Sequence, residues 1–148
     1  MTNEQKHLIR QTFDLVAPMA DSAAAIFYRR LFELDPSLHP MFPPTLVEQG
    51  RKLMQMLGAA IGMLDRPQQL IAVLESLGKR HAGYGVRDEH YDTVGEALMW
   101  TLERGLGPVF TPEVQAAWAA LYGVIATTMK NAANTRPTEH EPTEAVAG

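Results

Sequence analysis

Helical periodicity runs through almost the whole chain, and this feature most restricts the folds that the chain can adopt. Apolar residues recur at steps of three and four residues, whereas sustained alternation of apolar and polar residues, which is typical of strands, does not occur. The pattern predicts helices over residues 3–17, 21–34, 45–64, 67–82, 88–106 and 111–132, with a short turn at 36–42. We therefore expect an all-α domain of six or seven helices with short connections.

Local capping signals support these predicted helix starts. Asp35-Pro36 and Thr111-Pro112 each place a favourable N-cap residue before a proline at the first helical position. Thr45 is followed by a glutamate three residues later, which predicts a capping box after Pro43-Pro44.

The composition excludes several classes of protein. Apolar residues make up 46% and charged residues 20% of the 148 residues, as in globular proteins that fold in water. A net charge of −4 and the lack of a Lys/Arg block argue against nucleic-acid binding. The absence of cysteine excludes disulfide scaffolds, thiolate metal sites and covalent haem attachment. The polar start and the short apolar runs lead us to expect a cytoplasmic protein without membrane contact.

The chain is expected to form one domain over residues 1–133. Residues 134–148, "NTRPTEHEPTEAVAG", lack periodicity and are rich in Pro, Thr and Glu, which predicts a disordered tail. The sequence contains no P-loop, G-x-S-x-G, H-E-x-x-H or EF-hand motif.

Three polar residues fall on predicted apolar helix faces. His81 continues the stripe of Leu70, Leu74 and Leu77, while Gln49 and Tyr28 lie on the inward faces of two other helices. Taken singly, each has an ordinary explanation: a core histidine bonded to a carbonyl, a glutamine reaching solvent, or a buried tyrosine. Taken together, they could converge on one buried polar object, such as a haem iron with a diatomic ligand.

Four stretches carry a resemblance to a known family. They are "IFYRRLFELDPSLHPMF", "EQGRKLMQMLGAAI", "LGKRHAGYGVRDEHYDTVGEALMWTL" and "AAWAALYGVIATTM". Through them, the chain resembles the bacterial single-domain globins and the haem domain of flavohaemoglobins over about residues 3–131.

This resemblance implies a globin fold whose helices pack around a non-covalently bound haem b. His81 corresponds to the proximal histidine that ligates iron, and Tyr28 and Gln49 correspond to distal residues that stabilise the bound ligand. Lys79 would lie near the haem propionates. The residues implied to contact the haem are Phe42, Leu53, Leu57, Arg80, Val86, Tyr91 and Val94.

Two features depart from the flavohaemoglobin pattern. The chain of 148 residues leaves no room for an FAD- and NAD-binding reductase domain, so we expect an external electron donor. In flavohaemoglobins a tyrosine at the position of Tyr91 works with a glutamate near the end of the last helix, and that position is Ala133 here. No Asp or Glu occurs between Glu113 and Glu139, so His81 should carry less anionic character. This favours reversible O2 binding over peroxidase-like chemistry.

Several functions stay open on sequence alone. The leading one is a haem protein that binds O2, NO and CO, with high affinity for O2, and that could act as a nitric oxide dioxygenase with an external reductase. The alternatives are a haem-based gas sensor or partner-binding module, and a haemless helical bundle. We expect a monomer or a weak homo-oligomer.

Overall fold

The six predicted α-helices are present within residues 1–134, the part of the chain that the computed structural model describes. They are α1 (Asn3–Val16), α2 (Ala20–Leu34), α3 (Leu46–Gly62), α4 (Pro67–Gly83), α5 (Asp88–Leu106) and α6 (Pro112–Asn134). Short 3₁₀ helices occupy Ala17–Met19, Pro36–Met41 and Gly107–Val109. No strand occurs in these residues, and the all-α prediction is confirmed.

Two of the predicted caps form, and one prediction is wrong. Asp35 accepts a hydrogen bond from the Ser37 backbone N–H at 3.1 Å, and Thr111 accepts one from that of Val114 at 3.2 Å. Thr45 precedes α3 as expected, but its side chain makes no capping hydrogen bond. Its ψ angle is 80°, whereas the capping residue Thr2 has the extended value of 164°. A side chain at Thr45 is therefore not directed at the first free N–H groups of α3.

The helices bury one continuous apolar core. α4 packs along α6, and α2 packs against both α3 and α5. The largest fully buried apolar side chains are Ile9, Leu31, Leu74, Trp118 and Leu121. These side chains come from α1, α2, α4 and α6, so the core joins helices from both ends of the described chain.

One polar pair lies inside this core. The indole N–H of Trp118 donates to the Thr12 hydroxyl at 2.8 Å, and that hydroxyl donates to the Leu8 carbonyl at 2.6 Å. The pairing satisfies the buried indole, which would otherwise oppose folding.

The described part of the chain ends at the start of the predicted tail. Asn134 is the last residue of α6, and the rest of the predicted disordered tail, 135–148, lies outside the described residues. Within residues 1–134, no helix combines the length and the apolar character needed to cross a bilayer.

Candidate functional site

His81 lies near the end of α4 with one ring nitrogen held by the backbone. Its Nδ1 is 2.8 Å from the carbonyl oxygen of Leu77, one turn earlier. Because a carbonyl can only accept, Nδ1 must carry the proton, and the lone pair of the neutral ring is on Nε2. Burial lowers the pKa of His81; the hydrogen bond to Leu77 opposes this effect and the charge of Arg80 adds to it. The half-buried ring is thus kept neutral, the form that binds metals.

The chain turns sharply just after His81. Gly85 has a φ angle of 88°, a conformation that side chains with a Cβ rarely adopt. This turn brings the Val86 N–H back to the His81 carbonyl at 3.1 Å. Tyr84 at the bend is 60% exposed, and its ring centre lies 5.9 Å from that of His81. The glycine therefore closes the end of α4 directly behind the candidate ligand.

A close helix crossing sets the position of α4 one turn before His81. A Cβ at Gly78 would collide with backbone atoms of Met129 on α6. Glycine is consequently required for α4 to lie this close to α6. Gly78 is not among the residues predicted from the sequence, although a glycine inside a strongly helical segment is a signal that could have identified it.

On α2, Tyr28 is buried among aromatic rings. Its exposed fraction is 4%, and its ring centre lies 5.1 Å from that of Phe27, 6.1 Å from that of Phe32 and 5.4 Å from that of Phe42. Its hydroxyl has no hydrogen-bond partner among residues 1–134. Burial raises the pKa of Tyr28 to about 12, so the phenol stays a neutral donor.

Gly50, the residue after Gln49, lies where α3 comes close to α2 at the level of Tyr28. A Cβ on Gly50 would lie 2.5 Å from Cβ of Ala24 and 3.7 Å from Cε2 of Tyr28. The bare glycine backbone therefore allows α3 to approach α2 at the level of Tyr28. Gln49 is half-buried, and within the described chain its side chain has no hydrogen-bond partner. An ion pair between Nη2 of Arg51 and Oδ2 of Asp21, which are 3.2 Å apart, also joins α3 to α2.

An apolar cavity of about 20 Å³ adjoins this side of the site. Leu53 and Leu57 of α3 and Phe27 of α2 contribute to its walls. The cavity has no polar lining, so it offers a water molecule no hydrogen-bond partner. Two of the predicted haem-contacting residues thus border a dry space.

Tyr91 carries a second unpaired hydroxyl. The residue is 6% exposed, and its Oη is buried without a hydrogen-bond partner in the described chain. Its carbonyl accepts from the Tyr122 hydroxyl at 2.6 Å. Burial raises the pKa of Tyr91, and the charge of Asp88 adds to the effect. The Lys130 ammonium lies 5.9 Å from the ring centre and 3.6 Å from the Asp92 carboxylate.

The remaining predicted haem contacts differ in burial. Val86 and Val94 are half-buried and pack on the core, as does Phe42. Lys79 and Arg80 are exposed and form no ion pair within residues 1–134. For these two basic residues, no contact in the described chain points to a binding role.

The donor set fits a haem. Residues 1–134 contain no group of three or more His, Cys, Asp or Glu side chains that could hold a metal ion. A haem iron needs only one histidine from the protein, because the macrocycle supplies the equatorial nitrogens. A neutral imidazole with a free Nε2, together with two unpaired tyrosine hydroxyls, is consistent with such a group.

Comparisons with known proteins agree with this chemistry. The family model named Globin matches residues 25–129. Neuroglobin of Danio rerio is 29% identical over 143 residues, a match that covers 87% of this chain and 90% of that protein. A flavohemoprotein of Rhizobium meliloti (strain 1021) is 32% identical over 129 residues, which are 85% of this chain but only 32% of that protein.

Solved structures give the same answer for the fold. A bacterial globin from Campylobacter jejuni superposes with a TM-score of 0.78 at 24% identity, covering 89% of this chain and 96% of its own. An engineered carbene transferase from Rhodothermus marinus, made from a protein thought to be a nitric oxide dioxygenase, superposes with a TM-score of 0.79 at 26% identity. The match covers 90% of this chain and 93% of that one. The predicted globin fold is confirmed. The chain therefore belongs to the globin family, whose members bind haem and small gaseous ligands.

Proposed function

We propose that this globin binds haem b through His81 and retains O2 with high affinity beneath Tyr28 and Gln49. We further propose that it acts as a nitric oxide dioxygenase when an external reductase supplies electrons. When bound, the haem supplies the iron at which O2 binds and can be converted with NO to nitrate, after which one electron restores the ferrous state.

The hydroxyl of Tyr28 carries this proposal, because the residue is 4% exposed and its hydroxyl has no hydrogen-bond partner among residues 1–134. An ordinary intramolecular hydrogen bond contributes about 1 kcal/mol net, because the donor gives up water to form it. The Tyr28 hydroxyl has no protein partner to give up in the described chain, and it lies in an apolar, aromatic environment. A hydrogen bond from it to a partly negative ligand is therefore stronger than average.

Gln49 supplies a second donor from the neighbouring helix. Gln49 precedes Gly50, where α3 and α2 touch, and this supports our assignment of both donors to one side of the site. Phe42, Leu53 and Leu57 form the apolar wall on this distal side in our proposal. Opposite them we assign His81 as the iron ligand. The remaining haem contacts that we propose are Val86, Tyr91 and Val94, with Arg80 at a propionate.

The surroundings of Tyr91 favour O2 retention over O–O bond cleavage. The position of the flavohaemoglobin glutamate is Ala133, and a cation, Lys130, lies beside the Tyr91 ring. Without a carboxylate at position 133, the His81 imidazole is expected to be a weaker electron donor. This supports reversible ligand binding as the basic property of the site.

Haem reconstitution followed by a spectrum tests the first part of the proposal. We expect an intense Soret band that shifts when CO is added to the reduced protein. The His81→Gly variant should lose the five-coordinate ferrous spectrum, and added imidazole should restore it because the free ligand occupies the vacated space. A wild-type chain without a CO-dependent shift would contradict haem binding.

Steady-state NO consumption tests the enzymatic part. The haem-loaded protein, an NADH-dependent flavin reductase and O2 should consume NO and produce one nitrate for each NO. Omitting either the protein or NADH should remove this activity. If NO loss with all components equals the loss without the protein, the dioxygenase proposal fails and the O2-binding proposal stands.

A further inference from the structure

A tryptophan on the outside of α5 is held between two arginine side chains. The Arg30 guanidinium lies 4.0 Å and the Arg104 guanidinium 3.8 Å from the ring centre of Trp100. These contacts are cation–π interactions that fix the position of the ring. A cleft of about 260 Å³ opens beside it, with Met99 and Phe110 among its apolar walls.

Most of the charged side chains around this tryptophan form no ion pair within residues 1–134. Arg104, Glu96 and Glu103 form no ion pair in residues 1–134, and Arg30 reaches Glu33 only at 3.5 Å. Tryptophan, methionine, phenylalanine and arginine are the residue types enriched at the centres of protein interfaces. The residues around Trp100 thus have the composition of a protein contact surface, and they include charged side chains of both signs that form no ion pair within residues 1–134.

The spacing of these charges along α5 is self-complementary. Glu96 precedes Trp100 by four residues, and Arg104 follows it by four residues. When two identical helices cross antiparallel about a two-fold axis, each residue lies opposite the residue at the same distance on the other side of the axis. With the axis at Trp100, Glu96 of each copy lies opposite Arg104 of the other.

We propose that this face of α5 is the interface of a homodimer. Trp100, Met99 and Phe110 form its apolar centre, and two symmetric Glu96–Arg104 ion pairs set its register. The occupant is a second copy of this chain, because one isologous contact satisfies both unpaired charges on both copies. None of the residues that we assign to the haem site belongs to this interface, although α5 contributes to both.

The test is sedimentation velocity of the full, haem-loaded chain over a concentration series. We expect a monomer–dimer equilibrium that weakens as salt is added. Glu96→Arg places two arginines opposite each other at both ends of the contact, and Arg104→Glu does the same with two glutamates. Each single reversal should raise the dimer Kd by about tenfold or more, because two attractive contacts become repulsive.

The double variant Glu96→Arg/Arg104→Glu separates this arrangement from a general effect of charge. It restores opposite charges across the two-fold axis, so its Kd should return towards the wild-type value. Glu75→Arg, at an exposed position of α4, changes the net charge by the same amount as Glu96→Arg and should leave the Kd unchanged. A chain that stays monomeric at every concentration, or a double variant no tighter than the singles, would overturn the proposal.

Discussion

At the scale of single residues, the site consists of polar atoms that the apolar core leaves unpaired. The Tyr28 hydroxyl and the Gln49 side chain lack partners in residues 1–134. The Tyr91 hydroxyl lacks a partner as well, and this residue is buried, with an exposed fraction of only 6%. An unpaired buried donor opposes folding, which supports our proposal that a ligand pairs with these groups.

The Tyr28 hydroxyl can be tested by removing a single oxygen. In Tyr28→Phe the aromatic packing remains, but the hydrogen bond to bound O2 is lost. The O2 dissociation rate should rise about tenfold or more, which corresponds to the loss of ~1.4 kcal/mol. Flash photolysis or stopped-flow displacement by CO measures this rate. Tyr84→Phe removes an exposed hydroxyl and is the matched control; equal rates for Tyr28→Phe and wild type would refute the assignment.

The pH dependence of O2 release follows from the ionisation of the same hydroxyl. Burial raises the pKa of Tyr28 to about 12, so the neutral, donating form persists well above the ordinary tyrosine value of about 10. We expect the O2 dissociation rate to be flat between about pH 7 and about pH 10. A rise centred near the ordinary tyrosine pKa would show that the hydroxyl is solvated, contrary to its burial.

The proximal environment can be tested by adding the missing carboxylate. Ala133→Glu introduces an acceptor at the position that we expect to match the glutamate of flavohaemoglobins, and it should strengthen electron donation by His81. The ferrous iron–histidine stretching frequency, measured by resonance Raman, should therefore rise. Thr127→Glu, on an exposed position of α6, should not change it. An unchanged frequency in Ala133→Glu would mean that position 133 does not influence the imidazole.

At the scale of elements, two glycines allow the helices to approach closely where the site is formed. Gly50 lets α3 contact α2 beside Tyr28, and Gly78 lets α4 contact α6 one turn before His81. One crossing thus fixes α3 relative to Tyr28, and the other fixes the part of α4 that precedes His81. Because backbone or Cβ atoms form both contacts, neither can be relieved by a change of rotamer.

The α2–α3 crossing predicts the effect of one methyl group. Gly50→Ala places a Cβ 2.5 Å from Cβ of Ala24, so α3 must shift. We expect a loss of about 1–3 kcal/mol in the free energy of unfolding, as is usual for overpacking. Chemical denaturation measures this value, and Ala24→Gly in the same chain should recover part of the loss.

Gly62→Ala is the matched control for helix propensity. A Cβ at Gly62, also on α3, would meet no atom within 4 Å. The substitution should therefore leave stability unchanged or raise it by up to about 1 kcal/mol. If Gly50→Ala behaved like Gly62→Ala, the close crossing would not restrict α3.

At the scale of the whole molecule, ion pairs between distant segments join the helices around the core. Asp65, after α3, accepts from Lys6 at 3.3 Å and from Arg10 at 2.9 Å, which links the α3–α4 corner to α1. At the other end, Asn134 donates to both carboxylate oxygens of Asp88, at 3.1 and 3.2 Å. These pairs are exposed, so their contribution to stability is small and sensitive to salt.

The Asp65 pairs predict a specific dependence of stability on pH. Hydrogen bonds from Lys6 and Arg10 lower the pKa of Asp65 below its ordinary value. Stability from these pairs is therefore present above the unfolded-state pKa of about 4, and it is lost as the pH falls through the lower folded-state value. Asp65→Asn should reduce the free energy of unfolding near neutral pH and converge with wild type in acid. A difference that is constant with pH would contradict the ionic origin.

The sequence by itself determined where the helices lie. Periodicity and proline positions predicted six helices whose ends match the structure within a few residues, because these signals act over one or two turns. The inward faces of His81, Gln49 and Tyr28 followed from the same geometry. Thr45 shows where a local signal fails, since its ψ angle depends on how the chain leaves Pro43-Pro44 and not on the capping motif alone.

Only the tertiary structure decided which surfaces meet. The approach of Gly50 to Ala24, of Gly78 to Met129 and of Lys130 to Tyr91 joins residues that are far apart in the chain. No periodic pattern encodes such pairs, because they depend on how whole helices cross. Helix positions are local properties of the chain, whereas a binding site depends on distances between helices.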